Sequence, residues 1–122
     1  MAYSGDSLVT FNQDDNGQGR WVGFYDSTLR DGEQAAGVVF DRDDKLELAR
    51  WLDYLGVDRI EVGMPVVSEE DAAAAGMIAS AGLRAEPWGF CRCIKGDVDA
   101  CLGAGLRHIV LEAPTSPFKL RA

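Results

Sequence analysis

Residues 41–63 read DRDDKLELARWLDYLGVDRIEVG, and the fold follows from this stretch. Acidic residues crowd its start, where a helix dipole presents its positive end. Leu48, Leu52 and Leu55 recur at i, i+4 and i+7, the spacing of one apolar helix face. Gly56 supplies a left-handed stop, and Asp58 to Val62 reads as a strand. A helix therefore turns at a glycine directly into a strand.

The same unit continues downstream. Ser68 before Glu69, Glu70 and Asp71 is an N-cap with acids in the first helical turn. Ala74, Met77, Ile78 and Ala81 form the expected buried face, and Gly82 ends the helix. A third strand is expected within Arg84 to Cys91, and a third helix carries Val98, Cys101 and Leu102 as far as Gly105. HIVLE, residues 108–112, is a fourth strand. Upstream, WVGFYD at residues 21–26 has the apolar and aromatic composition of a buried first strand and leads into the polar loop STLRDGEQAAG. Each helix ends in Gly followed by Val or Leu, at Gly56-Val57, Gly82-Leu83 and Gly105-Leu106, a repeat of about two dozen residues.

Strands alternating with helices of this length imply a parallel sheet with right-handed crossovers. An open nucleotide-binding sheet would carry G-x-G-x-x-G in its first strand-to-helix turn, and that turn here reads DSTLRDGEQAAG. A barrel is favoured. A full (β/α)8 barrel takes about 250 residues and eight units. The 122 residues supply four strands and three helices. The expected fold class is α/β, the N-terminal half of a TIM (β/α)8 barrel, over residues 21–122. Residues 1–20, rich in Asp, Asn, Gln, Gly and Ser, read as a flexible leader.

Twenty acidic against twelve basic residues give a net charge of -8, which opposes nucleic acid and anionic membranes as partners. No stretch reaches the roughly 20 apolar residues of a membrane span, and no secretory signal is visible, so a cytoplasmic protein is expected. Cys91, Cys93 and Cys101 form no disulfide framework and read as reduced thiols. Cys91-x-Cys93 puts two thiols on one side of an extended strand, with only Cys101 as a third sulfur for a soft metal. His108, at the start of a strand, reads as structural.

In a barrel the chemistry sits at the C-terminal ends of the strands, which places Tyr25 to Gln34 over the mouth. Asp31 is a hard oxygen ligand for a divalent cation, and the adjacent Arg30 is a permanent cation able to stabilise an oxyanion. By residue type alone, the pair more commonly reads as a tie within a polar loop, since such pairs are frequent on surfaces.

The string DSTLRDGEQAAGVVF, with IEVGMP about thirty residues later, resembles the signature of the DRE-TIM metallolyases. The similarity extends through the helix beginning DRDDK, the strand-end CRC and TSPFKLRA after the fourth strand. Within that family the chain is most similar to homocitrate synthases and phosphonomethylmalate synthases, with isopropylmalate and citramalate synthases and hydroxymethylglutaryl-CoA lyases as further members. The resemblance implies a Claisen condensation of acetyl-CoA, as co-substrate, with a 2-oxo acid, aided by a divalent metal ion (Mg, Mn or Zn). By position it implies that Asp31 is a metal ligand, that Arg30 stabilises the enolate or alkoxide, that Gln34 lies near substrate and that Glu61 lines the pocket. Arg92 is a candidate carboxylate clamp, because Arg binds carboxylates bidentately, or else a solvent-facing charge. Thr115 and Ser116 could donate hydrogen bonds to substrate or cap a turn.

The family's remaining metal ligands are two histidines of an H-x-H on strand seven, whereas this chain has one histidine. The expectation is therefore a fragment or split half, inactive alone, whose partner is the missing C-terminal barrel half or a second copy. The reading of another class is a noncatalytic half-barrel that binds or scaffolds.

Overall fold

The computed structural model describes residues 22–117 and 120–121; the leader expected at residues 1–20, together with Trp21, lies outside the described residues. The elements are β1 (Tyr25–Asp26), a 3-10 turn (Gly32–Gln34), α1 (Arg42–Leu55), β2 (Arg59–Gly63), α2 (Glu69–Ala79), β3 (Glu86–Arg92), α3 (Lys95–Gly103) and β4 (His108–Glu112). All strand pairings are parallel, in the order β1-β2-β3-β4. This is a half-barrel of (β/α)4 type, as the repeat predicted. No helix among the described residues is long and apolar enough to cross a membrane.

The helix boundaries follow from local chemistry. Asp41 caps α1 by accepting from the Asp43 and Asp44 N–H groups at 2.9 and 2.8 Å, while the Asp44 carboxylate accepts the Asp41 N–H at 3.2 Å. This reciprocal box satisfies donors that a helix start leaves orphaned. Gly56 closes α1 with φ 89°, a conformation in which a Cβ would be strained. Ser68 caps α2 through its hydroxyl, which accepts the Asp71 N–H at 3.0 Å.

The main core lies between the sheet and the helices. Ile60 and Val62 of β2 and Cys91 of β3 meet Ala49, Ala75, Ile78, Cys101 and Leu106, all buried. Alternation then sends the opposite set of strand residues to the other face. Glu61 lies in register with Trp88, and Trp88 with His108. Trp88 stacks on His108 at 5.1 Å and meets Tyr25 edge-on at 6.2 Å. His108 therefore packs on an aromatic ring, in keeping with its structural reading.

Three local expectations change. The first strand contracts to two residues, because Phe24 bonds to a turn instead of a ladder: its N–H goes to the Asp58 carboxylate and its carbonyl accepts from the Asp58 and Arg59 N–H groups. Leu55 and Leu102 are exposed, at 75% and 60%. α2 meets the start of α1 through Arg42–Glu70 and Lys45–Asp71, and Leu48 and Leu52 pack against the core, so only the last member of the stripe, Leu55, is left uncovered. The thiols of Cys91 and Cys93 also part company. Cys91 is buried, whereas Cys93 lies past the end of β3 and is exposed.

Candidate functional site

The loop after β1 is built to hold one side chain still. Asp26 accepts from the Thr28 N–H at 2.9 Å and from its hydroxyl at 3.1 Å, an Asx-type turn. The Ser27 carbonyl then gathers the N–H groups of Arg30, Asp31 and Gly32 at 3.1, 2.7 and 3.2 Å. Leu29 drops into the core with no exposed surface. With its neighbour buried and its backbone tied, Arg30 is aimed across the mouth of the sheet.

Three groups receive its guanidinium. Nε donates to Glu61 Oε1 at 2.5 Å, Nη1 donates to Asp31 Oδ1 at 3.2 Å, and the guanidinium carbon sits 4.5 Å from the centre of the Phe90 ring. Glu61 is a buried carboxylate, 2% exposed, and such a charge persists inside a protein only when it is paired. The hydrogen bond from Arg30 to Glu61 raises the Arg30 pKa further, against the opposing effect of burial. Tyr25 joins from β1: burial, then its hydrogen bond to Glu61 and the Glu61 charge, push its phenol well above the ordinary 10.0. The site therefore keeps a full positive charge on Arg30 and a proton on Tyr25 throughout the neutral range.

A cavity of about 280 Å³ opens beside this cluster, with Arg30, Gln34, Gly63, Met64 and Phe90 in its wall. Gln34 is exposed and lines it, and Asp31 is exposed beside it, its side chain 62% accessible. A hard carboxylate here suits an oxygen-liganded divalent ion. Among the described residues no three His, Cys, Asp or Glu side chains gather into a metal site. Asp31 fits as a single ligand.

The structure brings Arg30, Asp31, Gln34 and Glu61 together, with Glu61 buried against Arg30 instead of lining the cavity as expected, and leaves three predicted residues apart. Arg92 turns its fork onto Asp97 of α3, with Nε at 2.8 Å and Nη2 at 3.0 Å, and its backbone N–H adds a third bond at 3.0 Å. Those bonds hold the Asp97 pKa below its ordinary value, with burial opposing. Arg92 thus ties β3 to the first turn of α3. Thr115 and Ser116 are exposed beyond β4, where the Ser116 carbonyl accepts the Leu120 N–H at 3.1 Å. None of these three lines the cavity.

A cavity of about 300 Å³ lies at the other end of the sheet, where Arg59 pairs with Glu86 and Arg84 with Asp53. Its charges neutralise one another near solvent, and the N-terminal ends of barrel strands serve stability. The sequence reading placed Tyr25 at the mouth without giving it a role and missed Phe90 as a member of the site. Strand alternation carried the signal, because both fall on the face of Glu61.

A model of the HMGL-like family matches residues 21–122. The chain belongs to the HMGL-like family. Among curated relatives, this HMGL-like chain is 45% identical over 97 residues to "Homocitrate synthase AksA" of Methanocaldococcus jannaschii, an overlap covering 80% of the chain and 24% of that protein. It is 46% identical over 100 residues to "Probable 2-isopropylmalate synthase" of Methanopyrus kandleri, covering 82% of the chain and 20% of the relative. The match to "(R)-citramalate synthase CimA" of Methanocaldococcus jannaschii is 42% over 100 residues, again 82% and 20%. The HMGL-like chain thus spans between a fifth and a quarter of the length of these relatives.

Proposed function

We propose that this chain supplies the first four units of a metal-dependent synthase that condenses acetyl-CoA with a 2-oxo acid, homocitrate synthase-like in its chemistry. The observation that carries the reading is Arg30, held by buried Glu61 and the Phe90 ring at the mouth of the sheet, directly beside exposed Asp31.

In such a condensation the methyl carbon of acetyl-CoA, having lost a proton, bonds to the ketone carbon of the 2-oxo acid. The ketone π electrons move to oxygen, which becomes an alkoxide and then a hydroxyl, and water cleaves the thioester to release CoA. A divalent metal, when bound, polarises the ketone as a Lewis acid. Asp31 would contribute one oxygen ligand. Arg30 stays cationic and faces the developing oxygen charge, and its fixed orientation spares reorganisation during the reaction. Glu61 and Tyr25 set that orientation from below. Gln34 can offer its amide to a substrate carboxylate or carbonyl.

Similarity at 42–46% identity to synthases of three different names supports the shared condensation and leaves the choice among the 2-oxo acids open. Completion of the site is proposed to come from further barrel strands. Val22 and Phe24 just before β1, Trp51 and Leu55 of α1, Leu102 of α3 and Leu111 of β4 are all exposed. Exposed apolar side chains of this number suit a packing surface, here for the remaining barrel half or a second copy.

The test is reconstitution with the C-terminal strands of a homologous synthase, followed by CoA release from acetyl-CoA with 2-oxo acids of differing chain length. Release should require a divalent ion and vanish in Asp31→Ala, whereas Arg30→Lys should lower turnover more than metal affinity. A reassembled barrel that binds the ion yet releases no CoA with any 2-oxo acid would refute the reading.

A further inference from the structure

One charged cluster at the same cavity is unused by the chemistry above. Lys45, in the first turn of α1, is only 3% exposed. Its Nζ lies 2.8 Å from Glu33 Oε2 and 2.7 Å from Asp71 Oδ1. The two acids come from different elements. Glu33 belongs to the 3-10 turn, two residues beyond Asp31, and Asp71 to the first turn of α2. The other oxygen of each is also engaged: Glu33 Oε1 accepts the Phe40 N–H at 3.1 Å, and Asp71 Oδ2 accepts the Ser68 hydroxyl at 2.6 Å. An unbroken chain of polar contacts therefore runs from the end of the loop through Glu33, Lys45 and Asp71 to the cap of α2. Both acids also line the cavity that holds Arg30.

Stability alone does not require such a cluster. Burying one cation with two carboxylates carries a desolvation cost that well-packed apolar side chains of the same volume avoid. A three-way ionic contact does fix relative position, because its hydrogen bonds are directional and leave few alternative arrangements. The loop it fixes is the one that presents Arg30 and Asp31. Its own ties are local apart from Leu29, the Arg30–Glu61 bond and the contact of Arg30 with the Phe90 ring.

We propose that Lys45 is a positioning residue, clamping Glu33 to α2 through Asp71 so that segment 30–34 is held with Arg30 directed at Glu61 and the cavity. The purpose of that geometry rests on the proposed condensation; the clamp itself can be tested with no substrate present.

The experiment uses the full chain labelled with 15N. The Nε–H resonance of Arg30, which donates to Glu61, reports the site, and that of Arg92, which donates to Asp97, is an internal control. In Lys45→Met the Arg30 signal should shift or broaden, and amide exchange over residues 30–40 should quicken by at least about tenfold. The Arg92 signal and the amides of β2 and β3 should stay as they are. An unchanged Arg30 resonance with unchanged exchange would overturn the proposal. Should Lys45→Met unfold the chain, the neutral triple variant Lys45→Met, Glu33→Gln, Asp71→Asn decides. A folded triple variant with a loose loop supports the clamp, whereas one with a protected loop, or an unfolded one, overturns it. Failure of CoA release in the reassembled enzyme touches none of these readouts.

Discussion

Replacing Gly89 with Ala tests the packing beneath the site. Gly89 lies in the middle of β3 and is absent from the glycines with positive φ, so alanine meets no backbone penalty there. The difficulty is space. A Cβ built on Gly89 would stand 2.6 Å from Cys101 Sγ and 2.8 Å from Leu106 Cδ1, against an ordinary carbon contact of about 3.5–4.0 Å. Both neighbours are fully buried, at 0% and 1% exposure, so neither can swing into solvent. The strand is pinned between Gly63 and Ile109 in the ladders on its two sides. Overpacking of this kind costs roughly 1–3 kcal/mol. The lower chain entropy of unfolded alanine returns about 0.4–1 kcal/mol. A net loss of about 1–2 kcal/mol is expected, read as a lower urea midpoint with an unchanged slope at fixed protein concentration. Cys101→Ala removes the nearer clash, so the double variant should lose less than the sum of the singles, with a coupling of about 1 kcal/mol. A midpoint at or above that of the parent chain, or strict additivity in the cycle, would show that this crevice is not closed.

Three further outcomes follow from the charges and thiols. Glu61→Gln should leave Arg30 without its carboxylate partner and cost about 1.5–3 kcal/mol for the charge-assisted bond, and chemical denaturation together with the Arg30 Nε–H shift measures it; full stability with an unmoved resonance would contradict the pairing. For Asp71, burial raises the pKa, but the hydrogen bonds from Lys45 and Ser68 and the Lys45 charge outweigh it and leave the value below 3.8, so its contribution is present above that pH and lost as pH falls through the folded value. For Lys45, burial lowers the pKa, but the bonds and charges of Asp71 and Glu33 outweigh it and leave the value above 10.5, so its contribution is full below that pH and lost as pH rises through the folded value; thermal melts across both limits should show a Lys45→Met variant with shallower losses than the parent. Alkylation at pH 8 followed by mass spectrometry should modify exposed Cys93 first and spare Cys101, whose thiol burial, with the adjacent Cys91, pushes up to about 12; equal rates would mean that the core opens freely.

The fold was legible because its signals are local. Gly56, Gly82 and Gly105 were read as helix stops, and all three hold positive φ, at 89°, 69° and 81°. Ser68 was read as a cap and caps α2. Arg30 and Asp31 stood out by residue type on the loop over the mouth, whereas Gln34 and Glu61 were named by the resemblance to the family's motif. The rest depends on contacts that no periodicity encodes. Lys45 occupies an unremarkable polar place in DRDDK, and only its meeting with Asp71, 26 residues away, makes it a clamp. Arg92 looked available to a substrate until the first turn of α3 brought Asp97 beneath it. Leu55 has the spacing of a core residue and lies exposed, because periodicity reports a face and says nothing of what covers it.

The order of the sheet also bears on how the chain acquires its structure. Every strand pairs with the one before it, and the links shorten along the chain, from 34 residues between Phe24 and Asp58 to 27 between Arg59 and Glu86. None of the four described strands must wait for a later segment to be inserted between it and its predecessor. Loops of this size close at modest entropic cost, which grows only slowly with length. Synthesis proceeds from the N-terminus at about 5–20 residues per second, slow compared with the pairing of neighbouring segments. Each strand-helix unit can therefore dock on the ribosome-bound sheet within seconds of its emergence, and the growing edge it leaves behind is the template for the next.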